Sequence, residues 1–97
     1  MRNVQPTEVP ANAQLIDVRE RHEWDAEHAP SATLIPMSEL AQRVGEIDPD
    51  RDIYVICHLG GRSQRVCEYL EASLGWETIN VLGGMDEWVA QGLPVVR

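Results

Sequence analysis

The segment DIYVIC, residues 52–57, constrains the fold more than any other part of the chain. Its four central residues, Ile53 to Ile56, are all apolar and leave no polar face for solvent. A continuously apolar strand is typical of a parallel sheet, because crossover helices cover both faces of such a sheet. The segment therefore predicts a strand that is buried on both sides.

Strands and helices alternate along the rest of the chain. Short apolar runs predict strands at 14–17, 33–35 and 78–82, and amphipathic or charged stretches predict helices at 20–27, 38–44, 62–74 and 85–91. We expect Ser38 to cap the second helix, and only the first ten and last four residues to be loosely held. Alternating elements with short connections imply right-handed crossovers. The sequence therefore predicts an α/β fold: a small, mostly parallel sheet flanked by helices on both faces.

Size and charge limit the classes of function. The 97 residues form one domain, spanning 1–97, which is too short for two lobes with a deep cleft between them. Sixteen acidic residues stand against eight arginines, so we expect no nucleic-acid partner. The absence of lysine excludes Schiff-base chemistry.

The chain also lacks the features of exported, membrane-bound or metal-binding proteins. No apolar stretch approaches the roughly 20 residues of a membrane span, and the N-terminus does not begin like a signal peptide. Two cysteines are too few for a disulfide scaffold, and together with three scattered histidines they give no zinc-ligand spacing. We therefore expect a cytoplasmic protein that contacts no membrane and holds no metal.

Cys57 ends the buried strand and opens the loop CHLGGRS, at the edge where parallel sheets bind ligands. A free thiol with a pKa near 8.5 is only a few per cent ionised at pH 7. Gly60 and Gly61 permit unusual backbone angles, so the N–H groups of the loop can turn towards one atom. The N-terminus of the next helix adds positive charge there, as does Arg62 if its side chain folds towards the loop. We therefore predict that Cys57 is mostly thiolate at neutral pH.

The second cysteine lies in a different pattern. Val66, Cys67, Leu70 and Leu74 fall on one stripe of the third predicted helix. Cysteine is among the most frequently buried residues, and this stripe faces the core. We therefore assign Cys67 to core packing. The same interpretation suits Cys57 less well, because a packing cysteine needs neither the two glycines nor the arginine.

The chain resembles the rhodanese family of single-domain sulfurtransferases over almost its whole length. Four segments carry the resemblance in the family's order and spacing: LIDVRE at 15–20, EHAPSATLIP at 27–36, CHLGGRS at 57–63 and GGMDEWVAQGLPV at 83–95. The resemblance implies that Cys57 is the nucleophile that accepts a sulfane sulfur and holds it as a persulfide. It also implies that His58, Leu59, Gly60, Gly61 and Arg62 form the substrate-binding loop.

The chemistry that this implies is sulfur transfer without a cofactor. The expected donor is thiosulfate or a persulfide, and the expected acceptor is a thiol, cyanide or a protein. An alternative is a protein-to-protein sulfur-relay or binding module that hardly uses thiosulfate, which an acidic surface would favour by repelling a small dianion. A less favoured alternative is a phosphatase or arsenate reductase. Arg62 stands five places after Cys57, whereas phosphatases of related architecture place their arginine one position further on.

Other residues are expected to support the loop. Asp17 and Arg19 match the family's Asp-Val-Arg signature, and we expect them to brace the loop by hydrogen bonds or an ion pair. The alternative for Arg19 is an exposed helical pair with Glu23. Ser63 is expected to satisfy an unpaired amide at the start of the helix.

We also predict roles for three residues in and after the loop. His58 and Leu59 are expected to project towards the acceptor, where His58 either assists proton transfer or is a bystander. Arg65 is interpreted as a solvated helix charge.

The sequence departs from the family at Glu27 and Ser31, where glycines are usual. A positive φ at either position would cost roughly 1–2 kcal/mol.

Overall fold

The computed structural model describes every residue from Met1 to Arg97. The five strands are β1 (Arg2–Val4), β2 (Gln14–Asp17), β3 (Ala32–Leu34), β4 (Ile53–Ile56) and β5 (Ile79–Val81). The four α-helices are α1 (Arg21–Ala26), α2 (Leu40–Arg43), α3 (Gly61–Leu74) and α4 (Gly84–Ala90). None of these helices has the length and apolar composition needed to cross a membrane.

All five strands form one parallel sheet in the order β1-β5-β4-β2-β3. Strand β4 lies in the centre, and all four of its residues are buried. This is the reason for its uninterrupted apolar sequence, because neither of its faces meets water. The prediction of a strand buried on both sides is therefore confirmed.

Two apolar clusters cover the two faces of the sheet. On one face, Val55 and Cys57 pack with α2 and with Val66 and Leu70 of α3. On the other, Tyr54 and Ile56 pack with Trp88 of α4 and with neighbouring strands. Consecutive residues of β4 thus point to opposite clusters, as the two-residue period of a strand requires. The predicted α/β fold, with helices on both faces of the sheet, is confirmed.

Both ends of the chain are held more firmly than predicted. Strand β1 pairs in register with β5, so that Arg2 lies opposite Ile79, and Val4 is buried. Near the C-terminus, the amide of His28 donates to the carbonyl of Val96 at 2.9 Å, and the amide of Val96 donates back at 2.8 Å. The expectation that the first ten and last four residues are loosely held is therefore wrong.

Three local predictions also need correction. The region predicted as one helix at 38–44 is a single α-helical turn between two 3₁₀ turns. Ser38 does not cap it, and its hydroxyl donates instead to the carboxylate of Glu20 at 3.1 Å. Leu74, assigned to the buried stripe of α3, is 41% exposed because it lies in the last turn of the helix.

Candidate active site

Cys57 directly follows β4, at the carboxyl edge of the sheet and immediately before α3. Gly60 makes the turn between strand and helix with φ of +111°, a left-handed conformation that favours glycine. Helix α3 then begins at Gly61, one residue earlier than predicted. The turn brings the N-terminus of a 14-residue helix to the sulfur.

The sulfur of Cys57 has hydrogen-bonding partners on the helix side of the loop. The amide of Gly60 donates to Sγ at 3.0 Å, and Ser63 Oγ lies 3.3 Å from Sγ. Burial alone would raise the pKa of Cys57. The Ser63 hydroxyl, together with the amides of Ser63, Gly60 and Leu59, outweighs burial, so the pKa of Cys57 is lowered from its ordinary value. The amides do face the sulfur, and the direction of this shift agrees with the predicted thiolate.

Helix α4 fixes the outer side of the same loop. The amide of Met85 donates to the carbonyl of Cys57 at 2.7 Å, and the amide of Asp86 donates to the carbonyl of His58 at 3.0 Å. Gly84, which precedes these two donors, has φ of +56°. A Cβ at this position would collide with the carbonyl oxygen of Cys57 and lie 2.6 Å from that of His58. The close approach of α4, and hence the orientation of both carbonyls, requires glycine there.

Arg62 does not fold towards the sulfur. Its guanidinium binds the carboxylate of Glu23 in α1 with two hydrogen bonds, of 2.7 and 2.8 Å. This contact lowers the pKa of Glu23 to about 2 and raises that of Arg62. The condition under which Arg62 was expected to add its charge to the cysteine loop, a side chain folded towards that loop, is therefore not met, and Glu23 neutralises most of the charge.

Asp17 and Arg19 are buried and paired with each other. Arg19 Nη2 lies 2.8 Å from Asp17 Oδ2, and the side chains are 5% and 0% exposed. The same Nη2 donates to the carbonyl of Glu27 at 2.7 Å, and Nη1 donates to that of Glu23 at 3.4 Å. The pair thus holds the C-terminal part of α1, and neither side chain hydrogen-bonds to the cysteine loop. The expectation that Asp17 and Arg19 brace the loop by hydrogen bonds or an ion pair is corrected, and the alternative of an exposed pair with Glu23 is wrong.

Ser63 has a different role from the one expected. It caps no helix amide. Its Oγ lies 3.0 Å from the carbonyl oxygen of Gly60 and 2.6 Å from Oδ1 of Asn80, in addition to its contact with Sγ. Sequence reasoning missed Asn80. A signal for it was present, since it is a polar residue between Ile79 and Val81 in a buried strand.

The remaining loop residues line a pocket over the sulfur. It has a volume of about 280 Å³ and is lined by Cys57, His58, Leu59, Gly61, Arg62 and Arg65. Leu59 is 65% exposed, and His58 is exposed as well, which agrees with their expected projection from the loop. Arg65, interpreted as a solvated charge, forms no ion pair but does line this pocket. Cys57 is only 1% exposed, so the pocket is the route by which a small molecule could approach its sulfur.

Comparison with known proteins gives the family. A family model described as a rhodanese-like domain matches residues 6–91. The chain belongs to the rhodanese family. The rhodanese-related protein from Thermoplasma volcanium has a similar solved structure, with a TM-score of 0.90 and 31% identity, covering 99% of this chain and 98% of that one.

Two curated proteins of Bacillus subtilis are similar to this rhodanese-like domain. "Putative sulfurtransferase YtwF" is 39% identical over 80 residues, which cover 82% of this chain and 77% of the relative. "Putative sulfur carrier protein YrkF" is 34% identical over 77 residues, which cover 79% of this chain. The rhodanese-like domain spans only 42% of the length of YrkF.

The second cysteine of this rhodanese-like domain lies in the core. Cys67 is fully buried in the cluster beneath α2 and α3, as predicted. Burial raises the pKa of Cys67, and a hydrogen bond with Thr78 offsets this only in part. The two thiols therefore shift in opposite directions, with the pKa of Cys67 above its ordinary value and that of Cys57 below it.

The departures from the family's glycines cause no strain. No residue other than glycine has a positive φ, and Glu27 is extended, with φ of −169°. Glu27 accepts the hydrogen bond from Arg19 through its carbonyl, which any residue could provide. The conditional cost of 1–2 kcal/mol at Glu27 and Ser31 therefore does not arise.

Proposed function

We propose that this rhodanese-like domain is a sulfurtransferase that carries a sulfane sulfur as a persulfide on Cys57. The single observation that supports this most is the set of donors around one sulfur, with the Gly60 amide at 3.0 Å and the Ser63 hydroxyl at 3.3 Å. Such donors favour an anionic sulfur over a protonated one. The names of its relatives, a sulfurtransferase and a sulfur carrier protein, point to the same chemistry.

The reaction has two displacements. The Cys57 thiolate attacks the outer sulfur of a donor such as thiosulfate, a new S–S bond forms, and sulfite leaves with the electron pair of the broken S–S bond. An acceptor thiolate or cyanide then attacks the outer sulfur of the persulfide, and Cys57 leaves as a thiolate. The loop amides stabilise the anion in both states. No electrons are exchanged with an outside oxidant or reductant, so the cycle needs no cofactor.

The charge around the pocket favours sulfur chemistry over phosphoryl transfer. A transferred phosphoryl group needs a guanidinium aimed at its oxygens. Glu23 binds Nη1 and Nη2 of Arg62 with both carboxylate oxygens, so the bidentate edge of this guanidinium is already occupied. Arg65 at the pocket wall is the cation without such a partner, and it can attract the outer end of a small anionic donor.

The proposed partners follow from the pocket and the charge. The donor is thiosulfate or a persulfide, and the acceptor is a thiol, cyanide or a protein thiol that reaches the exposed Leu59. We infer a cytoplasmic setting, which the two unpaired cysteines support because reducing conditions keep thiols free.

Intact-mass analysis after thiosulfate treatment tests this function. We expect a gain of one sulfur atom, located at Cys57 by fragmentation, and its loss on addition of cyanide. The Cys57→Ser variant should gain nothing, whereas Cys67→Ser should gain the same single sulfur as the native protein. A sulfur on Cys67, or none on either cysteine with thiosulfate and with a low-molecular-weight persulfide, would contradict the proposal.

A further inference from the structure

Asn80 is a polar side chain in an otherwise apolar layer. Its neighbours in β5, Ile79 and Val81, belong to the cluster on the opposite face of the sheet. Asn80 therefore points towards α3, where its side chain is 1% exposed. A buried amide is costly unless its hydrogen bonds are satisfied, so its partners identify what it does.

The amide connects the catalytic loop to the edge of the sheet. Asn80 Oδ1 lies 2.6 Å from Ser63 Oγ, and Asn80 Nδ2 lies 3.3 Å from Oδ1 of Asn3 in β1. Ser63 Oγ lies in turn 3.3 Å from Cys57 Sγ. The series runs from the sulfur through Ser63 and Asn80 to Asn3, which is exposed.

Ser63 has one proton to share among these neighbours. While Cys57 is a thiol, its S–H donates to Ser63 Oγ. Of the two acceptors within reach of the Ser63 hydroxyl, Asn80 Oδ1 at 2.6 Å is nearer than the Gly60 carbonyl oxygen at 3.0 Å, and the hydroxyl donates to Asn80. A thiolate can only accept, so the hydroxyl must then turn its proton to the sulfur. Two oxygens, of Ser63 and Asn80, would be left 2.6 Å apart with no proton between them.

We propose that Asn80 is a positioning residue whose amide turns over when Cys57 ionises, so that Nδ2 donates to Ser63 Oγ and frees the hydroxyl to donate to the sulfur. Asn3 at the exposed end turns with it, because its own amide can exchange partners with water. The whole series then donates in one direction, towards the anion, and hydrogen bonds in such a series strengthen one another. The inference rests on the proposed role of Cys57 as the ionised nucleophile.

The charged groups near the sulfur do not provide this switch. These groups are Arg62 and Arg65 on α3, His58 in the loop, Glu23 on α1, Asp86 on α4 and Asp17 at the end of β2. None of them hydrogen-bonds to the side chain of Ser63 or Asn80. On the far side of the series, Glu71 binds the N-terminal amine and Thr78, not Asn80.

The direct test follows the side-chain amide of Asn80 by nuclear magnetic resonance through a pH titration. In the Cys67→Ala background, we expect the Asn80 Nδ2 signals to shift with the midpoint of Cys57 ionisation, measured independently by thiolate absorbance. In Cys57→Ser and in Ser63→Ala the signals should not follow that midpoint. Asn80 signals that stay constant while Cys57 titrates in the native loop would overturn the proposal.

A pair of variants tests the same point by chemistry. Asn80→Asp, measured above the pH at which its carboxyl ionises, accepts hydrogen bonds but cannot donate them, whereas Asn80→Leu does neither. With Ser63 present, we expect a thiolate-to-thiol ratio about ten-fold lower in Asn80→Asp than in Asn80→Leu, the size of one charge-assisted hydrogen bond. In the Ser63→Ala background, the difference in thiolate-to-thiol ratio between the two variants should shrink. What remains is the long-range electrostatic effect of the aspartate charge on the sulfur. An equal difference in both backgrounds would refute the switch.

These measurements are independent of sulfur transfer. They use the protein alone, with no donor or acceptor, so their failure would leave the proposed sulfurtransferase activity standing. Conversely, a protein that gains no sulfur could still show the coupled titration of Cys57 and Asn80. If Asn80→Asp does not fold, the resonance titration of the native side chain decides the question.

Discussion

Cys57 and Cys67 lie in the same apolar cluster and are equally inaccessible, with 1% and 0% of their surfaces exposed. The pKa of Cys57 is nevertheless lowered, whereas that of Cys67 is raised. Burial raises the pKa of both thiols, so burial cannot account for the difference. The neighbours at each sulfur account for it. Cys57 ends a strand beside a turned loop, and Cys67 lies in the middle of a helix whose amides are already paired.

The comparison shows how a fold can lower the pKa of one of two buried thiols. A helix interior leaves no backbone N–H to offer, whereas the first turn of a helix leaves several unpaired. Cys57 lies next to such a first turn, and the Gly60 conformation directs the amides at its sulfur. The lowered pKa is therefore a property of the position between β4 and α3 and not of the cysteine itself.

The largest difference between the two cysteines should appear when the sulfur of each is replaced by oxygen. We expect Cys57→Ser to abolish thiosulfate:cyanide sulfur transfer, because a serine hydroxyl is not ionised at neutral pH. Cys67→Ser should retain most of the activity and lose only some stability, since it puts a hydroxyl in an apolar cluster. Steady-state assays of both variants at equal folded concentration check this. Equal loss of activity in the two would contradict the division of roles.

A substitution that moves the loop should disturb the hydrogen bonds that lower the pKa of Cys57. Gly84→Ala introduces a Cβ that collides with the carbonyl of Cys57, at a backbone angle that disfavours alanine. Strain and overpacking together should lower the free energy of unfolding by about 2–4 kcal/mol. Denaturant unfolding measures this, and the alkylation rate of Cys57 reports the state of the loop.

Gly45→Ala is the matched control for that substitution. No atom lies within 4 Å of a Cβ placed at Gly45, and its φ is not positive. We expect its unfolding free energy and alkylation rate to stay close to the native values. If Gly84→Ala were as well tolerated as Gly45→Ala, the packing of α4 against the loop would not determine the geometry of the site.

Removing one hydrogen-bond donor should shift the pKa of Cys57 towards that of Cys67. Among the hydrogen bonds that lower the pKa of Cys57, the one from the Ser63 hydroxyl is the largest. Ser63→Ala should therefore raise that pKa and reduce the thiolate-to-thiol ratio by roughly ten-fold, as expected for a hydrogen bond to a charged group. Thiolate absorbance against pH, in a Cys67→Ala background, gives the midpoint. An unchanged midpoint would assign the stabilisation of the anion to the backbone amides alone.

The sequence predicts the part of this site that depends on local geometry. A buried strand followed by a glycine turn and a helix leads to a cysteine beside unpaired amides, whatever the rest of the chain does. The contacts that cross between distant elements could not be predicted in this way. Nothing near Arg62 shows that Glu23, thirty-nine positions earlier, neutralises it, and Asn80 reaches Ser63 only because β5 lies next to β4.

The pairing of the two chain ends could not be predicted from the sequence for the same reason. Strand β1 has only three residues, two of them exposed, so its sequence carries no strand pattern. Pairing with β5 makes it a strand, and tertiary context of this kind overrides weak local preference. Likewise, Val96 is held by His28, which lies between α1 and β3 and far from it in sequence, so no local rule could anticipate the contact.

The smallest expected effect concerns the ion pair beside the loop. The pKa of Glu23 is lowered from 4.5 to about 2, chiefly by its hydrogen bonds with Arg62. A lowered carboxyl pKa stabilises the folded state above the unfolded value and loses this effect as pH falls towards 2. Solvent screens the pair, because Glu23 is 22% exposed and Arg62 is 33% exposed. We therefore expect Glu23→Gln to cost only about 1 kcal/mol at pH 7, with the difference from native protein shrinking between pH 5 and pH 2.

The same substitution sharpens the contrast between the cysteines. Without Glu23, the charge of Arg62 is no longer neutralised, so the pKa of Cys57 should fall slightly further while that of Cys67, far from α1, stays where it is. Glu39→Gln, in the exposed pair with Arg43, is the control that should change neither thiol. Denaturant midpoints at several pH values and thiolate absorbance measure both effects. A rise in the pKa of Cys57 would mean that Glu23 positions Arg62 for the anion, and that the pair supports the site instead of weakening its charge.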